Sequence, residues 1–81
     1  MTNMMIDYLK AKLIIDAGNV NHYADENDTN RNHVNYGAVI SYADVLRRFG
    51  VNDIDIPDYE DEGCLRIPKI VIGTRTIQFE H

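Results

Sequence analysis

NVNHYADENDTNRNHVN, residues 19–35, decides how this chain is read. It holds six Asn, three acids and two His among few large apolar side chains. Asn and Asp bond their own backbone and so compete with helix and strand. On that chemistry the stretch is a long polar loop, with the regular elements on either side of it. A connection of this length with no element of its own is uncommon in a compact domain, so it is either functional or hides a short helical turn.

Before it, NMMIDYLKAKLIIDA (residues 3–17) places Met5, Tyr8, Leu9 and Leu13 at roughly helical spacing. Thr2 is the candidate N-cap, and Gly18 the candidate left-handed residue past the end. The β-branched Ile14 and Ile15 support a rival reading of KLIID as a buried strand; helix is preferred. After the polar stretch, Tyr42, Val45, Leu46 and Phe49 share one face at spacings of three and four. Ser41 reads as the N-cap, with Asp44 completing a short capping box. Arg47 and Arg48 close the last turn, where cations complement the helix dipole, and Gly50 ends it. A capped helix over 41–49 is expected.

The alternation of Ile54 and Ile56 with Asp53 and Asp55 suggests a short half-buried extended piece, followed by a charged turn. CLRIPKIVIGTRTIQFEH then reads as a hairpin with arms at about 65–72 and 75–80 and a turn at Gly73-Thr74. Pro68 points to a first arm that is an edge strand or is bulged. The edge of such a hairpin leaves homodimerisation open. The expected fold is a small single α+β domain spanning residues 1–81: an N-terminal helix, the 19–35 loop, a capped central helix and a C-terminal antiparallel β-hairpin. That order is compatible with a winged-helix-like arrangement.

The 81 residues carry eight Lys or Arg against 13 Asp or Glu, a net charge of −5. This balance weighs against nonspecific binding to nucleic acid or an anionic membrane, both of which need clustered bases. Cys64 is the sole cysteine, so no intrachain disulfide forms. The N-terminal apolar run is broken by Asp7, Lys10, Lys12 and Asp16, and reads neither as a signal peptide nor as a membrane span. A cytoplasmic location is expected, in a host cell if the chain is phage-encoded. His22, His33 and His81 lack metal-site spacing, no glycine-rich phosphate loop is present, and no nucleophile–base set emerges. Neither a cofactor, a metal nor enzymatic turnover is expected.

Three fragments resemble known families. YGAVISYADVLRRFG resembles the YG-x-V-x-SY-x-D-V segment of alkylguanine-DNA alkyltransferases, and IPKIVIG is similar to their IPCHRVIG active-site stretch. Lys69 stands where that family has its nucleophilic cysteine and Ile70 where it has His, so the chemistry does not carry over. LRIPKIVIGTRTIQFE resembles the wing of excisionase and AlpA-type winged-helix proteins. That likeness implies phosphate contacts from Arg66, Lys69 and Arg75, with Arg47 and Arg48 as further DNA-contacting candidates. AKLIIDAGNVNHY resembles the first strand of PIN- and NYN-type ribonucleases, where Asp16 would be a metal carboxylate. Such enzymes need carboxylates converging from several strands of a larger sheet, so Asp16 is read as a helix-end or turn residue.

The segment preceding the supposed wing departs from the winged-helix pattern. A DNA-reading element presents donors to bases and phosphates. Here the chain has Asp53, Asp55, Asp58, Glu60, Asp61 and Glu62, with Tyr59 among them and no base from Phe49 to Leu65. Carboxylates displayed on a rigid domain imitate a phosphate backbone and suit an Arg/Lys-lined groove. In type this is similar to the small acidic inhibitors of phages and mobile elements, anti-CRISPR proteins included. The resemblance implies a non-enzymatic protein that occludes the basic groove of a nucleic-acid-handling complex such as a CRISPR effector nuclease. The alternative is a winged-helix DNA-binding regulator or excisionase-like accessory protein.

Overall fold

The computed structural model describes residues 2–79 and is α+β. Helix α1 runs Asn3–Asp25 and helix α2 Thr29–Arg48. Five short strands follow: β1 (Ile54–Asp55), β2 (Tyr59–Asp61), β3 (Cys64–Arg66), β4 (Lys69–Ile72) and β5 (Arg75–Gln78). They form a three-stranded sheet in the order β1-β4-β5 and a two-stranded sheet, β2-β3, all antiparallel.

The 19–35 stretch is not a loop. It forms the last turns of α1, a three-residue connection and the first turns of α2. Its helical register is visible in the buried positions. Leu13, Ala17, Val20 and Ala24 line one face of α1, and Asn32, Val39, Ala43 and Leu46 one face of α2. The α2 stripe continues backward from Leu46 through Ala43, Val39 and the half-buried Tyr36 to Asn32, in steps of three and four. The alanines let the two antiparallel helices approach closely, and tertiary packing overrides the weak helix propensity of Asn.

The turn chemistry placed in that stretch does operate, but only at residues 26–28. Asn27 adopts a left-handed φ of 55°, and the Asp28 N–H reaches back to the Tyr23 carbonyl at 2.9 Å. This is the six-to-one bond of a Schellman motif, which satisfies carbonyls orphaned at the end of α1. Asp28 then caps α2, its Oδ1 accepting from the Arg31 N–H at 3.2 Å. Ser41 therefore lies inside α2 and caps nothing, and Asp44 instead accepts from Arg48 at 3.0 Å. Gly50, at φ 99°, ends α2 as expected, with the Val51 N–H donating to the Leu46 carbonyl at 3.0 Å.

Thr2 caps α1 as expected, its Oγ1 accepting from the Met5 N–H at 3.1 Å. Gly18, however, does not end that helix. It lies within it, where an added Cβ would meet the Phe79 ring at 3.8 Å. Asp16 is likewise a buried residue inside α1, not a helix-end or turn residue, and its Oδ1 accepts from Asn19 at 3.4 Å.

The C-terminal hairpin has its expected turn, β4 and β5 pairing with Ile72 opposite Arg75 around Gly73-Thr74. Its first arm begins at Lys69 and not near 65, because Cys64–Arg66 form β3 and pair with β2. Gly73 has φ 62° and its N–H donates to the Asp53 carbonyl at 2.9 Å. The first arm is not an edge, because β1 pairs with the other side of β4 through Ile54 opposite Ile72. Pro68 is tolerated because it lies just before β4, where its carbonyl accepts from the Phe79 N–H at 2.9 Å. Ile54, Ile67, Ile70 and Ile72 close the core against the helices. The expected charged turn after Pro57 is the β2-β3 hairpin. Glu80 and His81 lie outside the described residues.

Candidate functional site

Residues 32–36 of α2 and 65–67 of the chain that follows β2 determine how the acidic run is held. In an extended chain, alternate residues direct their N–H and C=O groups to opposite edges. On β3, Cys64 and Arg66 sit opposite Asp61 and Tyr59 of β2. Leu65 and Ile67 therefore face the helices, where no strand lies. Two buried asparagines take that place. The Asn32 side chain accepts from the Leu65 N–H at 2.8 Å and donates to the Leu65 carbonyl at 2.9 Å. Its remaining amide hydrogen goes to the Val20 carbonyl at 2.8 Å, which ties α2 to α1. Asn21 makes the same pair of bonds with Ile67, both at 2.8 Å. A primary amide carries a donor and an acceptor side by side, as a strand residue does, so each asparagine substitutes for one. Every described buried side-chain polar atom has a partner.

Three more contacts seat the β2-β3 hairpin. His33 Nε2 donates to the Gly63 carbonyl at 2.9 Å; a carbonyl only accepts, so that nitrogen carries the hydrogen. Tyr36 donates its hydroxyl to Asp58 Oδ2 at 2.5 Å. That bond, with partial burial and the Asp58 charge adding to it, pushes the phenol up to about 12. Arg66, whose side chain is only 15% exposed, donates to Asp25 at 2.8 Å and to Asp61 at 3.1 Å. The bond to Asp25, opposed by burial and aided by Asp61, holds its charge still more firmly. Helix α2 thus grips the hairpin at its turn, through His33, and ahead of its first strand, through Tyr36.

The acids are displayed on this frame. All six are exposed, as is Tyr59 at 48%. Asp53 precedes β1, where Asp55 alternates with the buried Ile54. Glu60 lies in the middle of β2, and the strand's other edge pairs with nothing in the sheet. Glu62 and Gly63 make the two-residue turn with φ of 52° and 84°, both left-handed. This is the type I′ pattern, which favours Asn-Gly; Glu62 occupies its first position at a steric cost and puts a carboxylate on the tip. Asp58 and Asp61 serve the fold as well. Among the described residues, Asp53, Asp55, Glu60 and Glu62 enter no ion pair.

The basic candidates are not gathered into one surface. Arg47 donates to the Ile54 carbonyl at 3.0 Å, and Arg48 pairs with Asp44. Arg66 is engaged with the acids. Lys69 and Arg75 are exposed but fall on opposite faces of their hairpin, because Arg75 lies across from Ile72 and Lys69 across from Gln78. Cys64 is buried. Among the described residues no group of three or more His, Cys, Asp or Glu is placed to hold a metal ion, and no helix is long and apolar enough to cross a membrane.

Sequence reasoning missed Asn21, Asn32, His33 and Tyr36, the residues that orient the site. The signal was present: both asparagines fall on the apolar stripes when those are extended through the polar segment. Comparison with known proteins finds no matching family, no matching curated protein and no matching solved structure.

Proposed function

We propose that this chain is a non-enzymatic binding protein, an inhibitor of the phage type. Its acidic surface, built from Asp53, Asp55, Asp58, Tyr59, Glu60, Asp61 and Glu62, imitates nucleic acid and occludes a basic groove of a nucleic-acid-handling protein such as a CRISPR effector nuclease. One observation carries the reading. The acidic run is held in regular structure, not as a solvated tether: Asp58 to Glu62 lie in or against a hairpin clamped by Asn32, His33, Tyr36 and Arg66, and Asp55 lies in β1 paired with β4. Carboxylates fixed in advance lose little entropy on binding, so their field and bidentate bonds to arginine act at full strength. Tyr59 supplies an aromatic anchor beside them.

The test uses Glu60 and Asp55, which have no ion-pair role in the fold. Titration of candidate basic nucleases over a salt series should show binding that weakens steeply with salt. Asp55→Lys with Glu60→Lys should weaken it at least tenfold while the circular dichroism spectrum is unchanged. Binding to duplex DNA at low salt that disappears with Arg47→Glu and Arg48→Glu would replace this reading with the DNA-binding regulator.

A further inference from the structure

Among the described residues three strands, β1, β2 and β5, have an open edge, and their chemistry differs. The β2 edge carries Glu60 and Asp61, and β1 carries Asp55. A second copy approaching either would set acid against acid, which is how native sheets protect their edges. The β5 edge has no acid. Its residues are Arg75, Thr76, Ile77 and Gln78, all exposed except the half-buried Ile77.

The register identifies which backbone groups are free. Ile72 and Arg75 flank a two-residue turn, so they form a hydrogen-bonded pair, as do Ile70 and Ile77. Phe79 also points inward, donating to the Pro68 carbonyl. Thr76 and Gln78 therefore direct their N–H and C=O groups outward, away from β4. Helix α1 presents Met4, Tyr8, Ala11 and Ile15 at spacings of four, three and four, on the side opposite its buried stripe, and Ala11 and Ile15 come beside this strand. Met4 is 81% exposed, Tyr8 60% and Ile15 55%. An open groove of about 400 Å³, lined by Asp7, Lys10, Ala11, Ile14, Ile15 and Arg75, joins the helix to β5.

We infer that a second copy of this chain pairs with β5, antiparallel about a two-fold axis at Ile77. In that register Thr76 lies opposite the partner's Gln78, Ile77 opposite its own copy and Arg75 opposite the partner's Phe79. Thr76 and Gln78 of both copies form four backbone hydrogen bonds, and the sheet doubles to six strands. The two copies of Ile77 meet on the helix-facing side, because Ile77 lies across from the buried Ile70. No like charges oppose each other along the strand. For two chains of charge −5 this is, among the described residues, the open strand edge whose own residues include no acid; Lys10 and Arg75 line the groove beside it, where Asp7 is the one acid. A standard interface of about 800 Å² per partner is roughly a sixth of the 5086 Å² surface. The dimer is independent of the acidic surface, and would present two copies of it.

Sedimentation equilibrium on the full chain should give about twice 9.3 kDa at 100 µM or above, a concentration chosen as roughly that of weak to moderate association. Thr76→Pro removes an outward N–H that no protomer bond uses, and should return the monomer. Gln78→Asp, on the solvent face of the same edge, should raise the dissociation constant at least tenfold and serves as the deciding variant if Thr76→Pro fails to fold. The register has its own readout. Thr76→Cys mixed with Gln78→Cys should cross-link as a heterodimer under mild oxidation, faster than either variant with itself; the buried Cys64 does not compete. A monomer throughout, a dimer indifferent to Gln78→Asp, or preferential linking of like variants would overturn the proposal.

Discussion

Residues 19–35 and 53–62 are the two most polar stretches of the chain, and the fold treats them in opposite ways. The first sends Asn21 and Asn32 into the core at 5% and 0% exposure; the second keeps every acid outside. The difference lies in what each group requires. An amide is neutral and carries both donors and an acceptor, so one strand residue takes one of each, and for Asn32 the second hydrogen goes to the Val20 carbonyl. A carboxylate accepts only and is charged, and burying it costs several kcal/mol unless a cation accompanies it. Polarity in a sequence is therefore not one property. The amides orient the hairpin from inside, and the acids use that orientation from outside.

The largest effects should come from breaking the inner half. Asn32→Ala strands the Leu65 N–H and carbonyl in a partly buried position, at about 1–3 kcal/mol for each group. The expected loss is roughly 2–5 kcal/mol, a fall in Tm of about 10 °C or more for a chain of this size. Asn21→Ala should cost nearly as much, since it strands the same two groups of Ile67. Asn32→Asp sharpens the comparison. It keeps the acceptor for the Leu65 N–H but turns a carboxylate oxygen toward two carbonyls, so at pH 7 it should be at least as damaging as Asn32→Ala. Acid should partly restore it, because a protonated carboxyl donates again. Thermal melts across pH 4–8 decide this, and an Asn32→Asp variant as stable as the wild type would refute the argument.

Arg66 stands between the two regimes. Its guanidinium is mostly covered, while Asp25 and Asp61 are 60% and 49% exposed. Arg66→Gln leaves carboxylates that water can rehydrate, so the loss should be about 1 kcal/mol, well below that of either asparagine. Urea denaturation at low and high salt measures it. A loss as large as that of Asn32→Ala would place the main clamp at Arg66.

These distinctions explain what was legible beforehand. The β4-β5 hairpin was readable because its turn, its alternation and Gly73 are local features. The Thr2 cap, the Gly50 terminus and the α+β class were readable for the same reason. The helical register through residues 19–35 was not, because six Asn are poor helix formers and their favourable partners lie up to 46 positions away. Ser41-x-x-Asp44 misled by resembling a start signal inside a longer helix; Asp28, three residues before Arg31, is the real one. The acidic residues of the candidate site could be named from composition. Their clamp could not, since Tyr36 reaches Asp58 across 22 positions and His33 reaches Gly63 across 30.

The smallest effect tests the contact where the two regions meet, Tyr36 with Asp58. The hydrogen bond exists only while the phenol is protonated, and it lifts Tyr36 from its ordinary 10.0 to about 12. A group whose folded value is raised contributes its full stability below the unfolded value and loses it as pH rises through the folded one. The contribution should therefore be constant up to about pH 10 and vanish between about 10 and 12. Because the contact is largely solvent-exposed, its size is modest, and the other tyrosines ionise nearby in pH. The informative quantity is the stability difference between the wild type and Tyr36→Phe, which should shrink over that window; a difference unchanged from pH 8 to 12 would remove the contact from the clamp. Asp58→Asn separates charge from geometry, since a neutral acceptor keeps a bond but lowers the phenol toward its ordinary value. Tyr36→Phe also leaves every carboxylate in place while freeing the start of the hairpin. If it weakens partner binding several-fold at neutral pH with the salt dependence unchanged, the clamp acts through orientation; Asp55→Lys with Glu60→Lys should change the salt dependence itself.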